Sequence, residues 1–157
     1  MRQSAVSGER LAVGRRIFLS FCLLLTACCS LNCGSVPNLE AAECNASRGV
    51  VKELYSFHFG NEMRFSGENL KQREKFLTPE FYRSLQGVTT DGDVLTTGGT
   101  DFPKAFRVGK CEVAAPDRTN IEVLLFWRDD ARTEQRAINV ETVRQGDKWL
   151  VNKVSNQ

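Results

Sequence analysis

From Ser47 onward the apolar positions recur at helical spacing. Val50, Leu54 and Phe57 lie four and three residues apart, with Val51, Tyr55 and His58 beside them. That spacing predicts a helix with a broad buried stripe, stopped at Gly60-Asn61. Ser66 is placed to cap a second helix running through Leu70 to Phe76. Thr78 then offers an N-cap with Pro79 at the first helical position, where a missing N–H costs nothing. This third helix carries Phe81, Tyr82 and Leu85 and ends at Gly87.

Residues 88–104, VTTDGDVLTTGGTDFPK, are polar and turn-rich and suit no helix. Beyond them the period becomes two. In AFRVGKCEVA, Phe106 and Val108 fall out of phase with Cys111 and Val113, and a bulge at Gly109-Lys110 would bring all four to one side. NIEVLLFWR is apolar on both faces and reads as a central strand. EQRAINVETVR alternates Ile138 and Val140 with polar residues, and QGDK turns the chain into WLVNKV, where Trp149 and Val151 share a face. Three helices followed by a four-stranded antiparallel meander predict an α+β domain over residues 46–157, its helices packed on one face of a curved sheet.

The segment before this domain changes the picture. Arg15-Arg16 followed by IFLSFCLLLTA has the layout of an export signal, a basic start and a short apolar run. The run is too short to span a bilayer, which takes about 20 apolar residues. LTAC at Leu25 to Cys28 resembles the lipobox of bacterial lipoproteins. The resemblance implies cleavage before Cys28 and its modification by fatty acyl chains of the palmitate type. Residues 1–27 would then be the signal peptide, and 28–45 a lipidated N-terminus and flexible tether. Several acyl chains give stable anchoring where one would be marginal. The expected location is the bacterial cell envelope, on the periplasmic face of the outer membrane in a diderm host, since Cys29 rather than Asp follows the lipidated residue. RRIFL also resembles a twin-arginine signal, although the strongly apolar run suits the general secretory route.

The formal charge of +2 is concentrated at the start, where Arg2, Arg10, Arg15 and Arg16 face only Glu9. The near-neutral remainder has no electrostatic footprint for nucleic acid. Of the six cysteines, Cys22 leaves with the signal and Cys28 is taken by lipid. Cys44 and Cys111 are those inside the folding part, and an oxidising compartment permits a bridge between them. The competing pairing joins Cys44 to Cys33 in the tether and leaves Cys111 a free thiol. No metal site or cofactor is expected, because the cysteines are not arranged as two close pairs and there is a single histidine.

The stretches VVKELYSFHF, FLTPEFYRSL, GGTDFPKAFRVG, VLLFWRDD and GDKWLVNKV together resemble a bacterial secreted lipoprotein family of unknown function with a cystatin-like or nuclear-transport-factor-like cone. The resemblance covers about residues 46 to 156 and implies that cone and an exported location, with no established activity. Three functional readings compete. In the leading one the cone is a non-catalytic module binding a small ligand or an envelope protein, with Thr97, Gly98, Gly99, Thr100 and Asp101 as a ligand-facing rim, since loops on a scaffold carry most binding residues. In the second it is an enzyme using His58 with Tyr55 or Tyr82 for proton transfer. In the third it is an envelope inhibitor or immunity protein that inserts an exposed loop into a partner. Asp91 and Asp93 lack calcium-loop spacing and read first as a turn, and Arg128-Asp129-Asp130 as a solvated hairpin.

Overall fold

The computed structural model describes residues 40–157; the expected export signal, Cys28, Cys29 and Cys33 lie outside them. Three helices, α1 (Ala42–Phe59), α2 (Gly67–Arg73) and α3 (Pro79–Gln86), precede four strands, β1 (Ala105–Ala115), β2 (Arg118–Arg128), β3 (Thr133–Gln145) and β4 (Lys148–Asn156). A single 3-10 turn, Glu74–Phe76, extends α2. The strands pair in the order β1-β2-β3-β4, antiparallel throughout. This is the expected α+β architecture.

Local chemistry accounts for most of the element ends. Ser66 caps α2 by accepting the Asn69 N–H, and Thr78 caps α3 by accepting the Phe81 N–H, ahead of Pro79. The hairpin between β3 and β4 turns on Gly146, at φ 61°, a left-handed position that glycine adopts without strain. Between β2 and β3, Asp129 accepts the Ala131 N–H through its side chain and donates its own N–H to Arg132. The Arg128–Asp130 stretch is thus the hairpin its sequence suggests.

One boundary differs from expectation. α1 begins at Ala42, not near Ser47, so Cys44 sits in its first turn. Ala41, at the cap, supplies no side-chain bond. The start therefore carries no sequence mark, and tertiary contacts hold it. Cys44 is bonded to Cys111 of β1, with Cα atoms 5.9 Å apart. Arg48 donates to Glu40 Oε1 through Nε and Nη2 and to the Gly109 carbonyl through Nη1. The bridge closes the long loop and takes the Cys44 sulfur that a pairing with Cys33 would need.

The β1 bulge falls where the sequence phase demanded it. Val108 pairs with Val123 and Cys111 with Ile121, which leaves Gly109 and Lys110 opposite Glu122 alone. A Cβ at Gly109 would lie 2.5 Å from Glu122 Oε1 and 3.2 Å from the Glu122 carbonyl, so a larger residue there would displace the Glu122 side chain. Val113, on the same face, remains 45% exposed because α1 ends its reach over Cys111.

The core lies between α1 and the inner sheet face. Val51, Leu54 and Tyr55 pack against Ile121, Val123, Leu125, Trp127, Ile138, Val140 and Val151. The stripe of α1 is therefore centred on Val51, Leu54, Tyr55 and His58, while Val50 and Phe57 sit at its margin. Burial of each large apolar side chain contributes roughly 1.5–3 kcal/mol. Among the described residues no helix is long and apolar enough to cross a membrane.

Candidate functional site

His58 lies near the end of α1, only 2% exposed. Its Nε2 is 2.8 Å from Asp93 Oδ2, and Arg73 Nε donates to its Nδ1 at 2.7 Å. A guanidinium can only donate, so Nδ1 carries the lone pair. The imidazole is thereby neutral, with its proton on Nε2 directed at Asp93. The ring bridges a buried cation to a buried carboxylate.

Every other group around it is also engaged. Asp93 Oδ2 accepts from Thr96 Oγ1 at 2.8 Å, and Oδ1 accepts the Leu95 N–H at 2.9 Å. Arg73 donates its remaining nitrogens to the Asn69 and Glu62 carbonyls. Burial lowers the Arg73 pKa, opposed by the charges of Asp93 and Glu62. The Tyr55 hydroxyl donates to the Leu95 carbonyl at 2.6 Å. Burial, and secondarily the Asp93 charge, raise the phenol well above its ordinary pKa, so it remains a fixed donor. Tyr82 is elsewhere, on α3 under Lys71. The void beside His58 and Asp93 is about 10 Å³, at most the room of one water molecule. The cluster is a clamp joining α1, α2 and the 88–104 loop, with no space for a substrate.

That loop folds inward rather than protruding. Asp93, Leu95 and Thr96 are buried, and Asp93 accepts the Gly98 N–H while donating its own to Gly99. Gly92 passes so close to this return that a Cβ there would lie 2.1 Å from the Gly98 carbonyl. Within the expected rim, Asp101 pairs with Arg132 at 2.8 Å, and its carbonyl accepts the Trp127 indole N–H. Arg132 holds the Asp101 pKa below its usual value. Gly98, Gly99, Thr100 and Asp101 are exposed, and Thr97 is half-buried beside a hollow of about 480 Å³ shared with Arg136 and Asn156. Gly98 has φ 78°, so a β-branched replacement there would strain the backbone and is no neutral probe of the rim.

Two further grooves open at the other end of β4. One, of about 430 Å³, lies between α1 and the β3–β4 hairpin and is lined by Gly49, Glu53, Phe76 and Trp149. The other, of about 490 Å³, lies between α3 and the same hairpin and is lined by Pro79, Tyr82, Gln86 and Gln145. Both include Lys75, Lys148 and Leu150.

Sequence reasoning named His58 and Tyr55 but missed Arg73, and it set Asp93 aside as a turn residue. A usable mark was present. Leu70, Arg73 and Phe76 are spaced by three, which places a charged residue on an apolar stripe, where it needs a buried partner.

No protein-family model matches the chain, and no curated protein matches it in sequence. Similar solved structures include an "Ntf2 like protein involved in plasmid conjugation", at 14% identity and a TM-score of 0.43, over 75% of this chain and 40% of that one. Another is a protein of unknown function from Bacteroides thetaiotaomicron VPI-5482, at 17% identity and a TM-score of 0.47, over 72% of this chain and 90% of that one. The chain spans less than half the length of the first. Both likenesses are loose, and no function passes from either to this chain.

Proposed function

We propose that the protein is a lipid-anchored lipoprotein of the bacterial envelope whose α+β domain is a non-catalytic binding module. The observation that carries the second half is the state of the cone's chemistry. Both His58 nitrogens and the Tyr55 hydroxyl are committed to protein partners, with about 10 Å³ of space beside His58. A general acid or base must reach a substrate proton, and His58 reaches only Arg73 and Asp93. The open surface lies outside, in the grooves beside β4. We read the domain as a cone of the nuclear-transport-factor-like kind, plugged by its own 88–104 loop. The inward fold of that loop also counts against an inhibitor that inserts it into a partner.

The anchor rests on LTAC at Leu25 to Cys28 behind an apolar run. Cys28→Ala should abolish lipid-dependent processing and release the protein from the membrane fraction. An unmodified Cys28 in the intact mass of the mature wild type would refute the anchor.

A further inference from the structure

The clamp around His58 is complete only while the imidazole is neutral. Nδ1 accepts from Arg73 Nε at 2.7 Å and Nε2 faces Asp93 Oδ2 at 2.8 Å, so Nδ1 must keep its lone pair. A second proton would sit on Nδ1 and leave two donors facing each other. It would also add a positive charge beside the guanidinium, where His58 and Asp93 are 2% and 1% exposed. The void there holds at most one water molecule, so solvent offers little to stabilise that charge.

The neighbouring groups do not relieve this conflict. Those that are charged or titratable are Tyr55 on α1, Glu62 and Arg64 in the turn after it, Arg73 on α2 and Asp93 in the loop. The Glu62 and Arg64 side chains are exposed, and the Tyr55 hydroxyl is held by the Leu95 carbonyl. Asp93 is already shared among His58, Thr96 and the Leu95 N–H. No residue of the sheet lines the void.

The loop keeps its shape largely through its own bonds. The Asp93 carbonyl accepts the Thr96 and Gly98 N–H groups, and the Asp93 N–H donates to Gly99. Its polar ties to the helices and the turn between them are few: the Asp93 carboxylate on His58, the Leu95 carbonyl on Tyr55, and the Gly92 carbonyl on the Phe65 N–H. Gly92 and Gly98 bracket the buried residues, Gly98 in the left-handed region at φ 78°. Loss of the His58 tie can thus release a preformed unit.

We infer that His58 makes closure of the 88–104 loop pH-dependent: in acid the imidazole takes a second proton, the Arg73 contact is lost, and the loop leaves α1, uncovering Tyr55 and the place of Leu95. Closed, the cluster has no room for a proton on Nδ1. Open to water, an imidazole takes that proton near about pH 6.5, whereas an aspartate stays ionised down to about 3.9. The open arrangement therefore binds one more proton below about pH 6.5. Closure keeps its full stability above that value, and the opening equilibrium rises about tenfold for each pH unit below it. Asp93 remains charged through most of that window, so the response belongs to His58. The inference goes beyond the binding-module reading and holds whether or not Cys28 carries lipid.

The test follows amide exchange in the full chain, in mild detergent, from about pH 7.5 down to about 3.5, each rate divided by its intrinsic value at that pH. Opening across residues 92–101 should be level above about pH 7 and rise about tenfold per pH unit below about 6, while β2 and β3 keep their protection. His58→Gln should remove that slope. A glutamine amide carries an acceptor and a donor on one carbon, as neutral imidazole does, and takes no proton. If this variant does not fold, the imidazole nitrogen NMR shifts of the wild type decide. A ring protonated at Nε2 alone near neutrality, becoming doubly protonated in step with loop exchange, supports the inference; either change without the other overturns it. Level protection throughout, or the same slope in folded His58→Gln, would also overturn it. So would a rise confined to below about pH 4, which belongs to a carboxylate such as Asp93, or loss of β2 and β3 protection together with the loop, which is global unfolding.

Discussion

The two ends of the α1 layer differ in how their polar groups are satisfied. Around His58, each charged or hydroxyl group meets a protein partner, and the loop that could have been a rim closes the space. Along β4, main-chain groups at Trp149 and the ammonium groups of Lys75 and Lys148 face open grooves. The residues with the richest chemistry are thus spent on stability, and the plainer edge faces open grooves. A buried charge demands compensation within the fold. An exposed strand edge has water as its partner and can exchange it for a peptide.

The sharpest way to break this comparison is to remove the centre of the clamp. Asp93→Ala would remove a buried carboxylate that offsets the Arg73 charge and leave His58 Nε2 and the Leu95 N–H without their acceptor. Losing one member of a buried ionic pair costs about 3–5 kcal/mol, read as a lower urea midpoint. A variant of wild-type stability would show that the cluster is not structural and return His58 to the catalytic candidates.

The disulfide tests the same closed side from its other end. In the chain-entropy model, a bridge across 67 residues contributes about 4 kcal/mol. The Cys44→Ser, Cys111→Ser double variant should lose that order of stability, read as a lower urea midpoint, with amide protection in β4 unchanged in the folded protein. Loss of β4 protection in the folded protein would mean that the two sides are coupled.

Gly92→Ala addresses the plug alone. Its Cβ would overlap the Gly98 carbonyl, so the loop must shift at a cost of about 1–3 kcal/mol. Amide exchange should rise across residues 92–101 and remain unchanged in β4. Uniform protection would mean that the loop accommodates the methyl without moving.

The smallest effect is expected at the surface pair of Asp101 and Arg132. The folded-state pKa of Asp101 is depressed by the Arg132 hydrogen bond, so its stabilisation is present above the ordinary carboxylate pKa and lost as pH falls through the folded value. Solvent screening keeps the effect small. Asp101→Asn should lower Tm slightly at neutral pH and low salt, with the difference vanishing in acid. A difference that persists in acid would assign the effect to lost packing rather than charge.

Much of the domain is legible from local rules. The caps at Ser66 and Thr78, the Gly146 turn and the bulge at Gly109 each follow from residue type or from a break in the two-residue period, because each is decided within a few positions of the chain. The start of α1 is not legible, since Ala41 offers no cap and the disulfide and Arg48 hold that turn from β1. The site was half legible: a histidine on an apolar stripe announces a buried imidazole, but its partners come from 15 and 35 residues away.

The sequence by itself determined the order of elements and the inner face of the alternating strands, because periodicity and short motifs are local. Only the tertiary structure decided that Asp93 and Arg73 close on His58, that the glycine-rich loop turns inward, and that β4 keeps an open edge. Those outcomes depend on which distant groups satisfy one another's charge and hydrogen bonds, and no local pattern along the chain encodes that pairing.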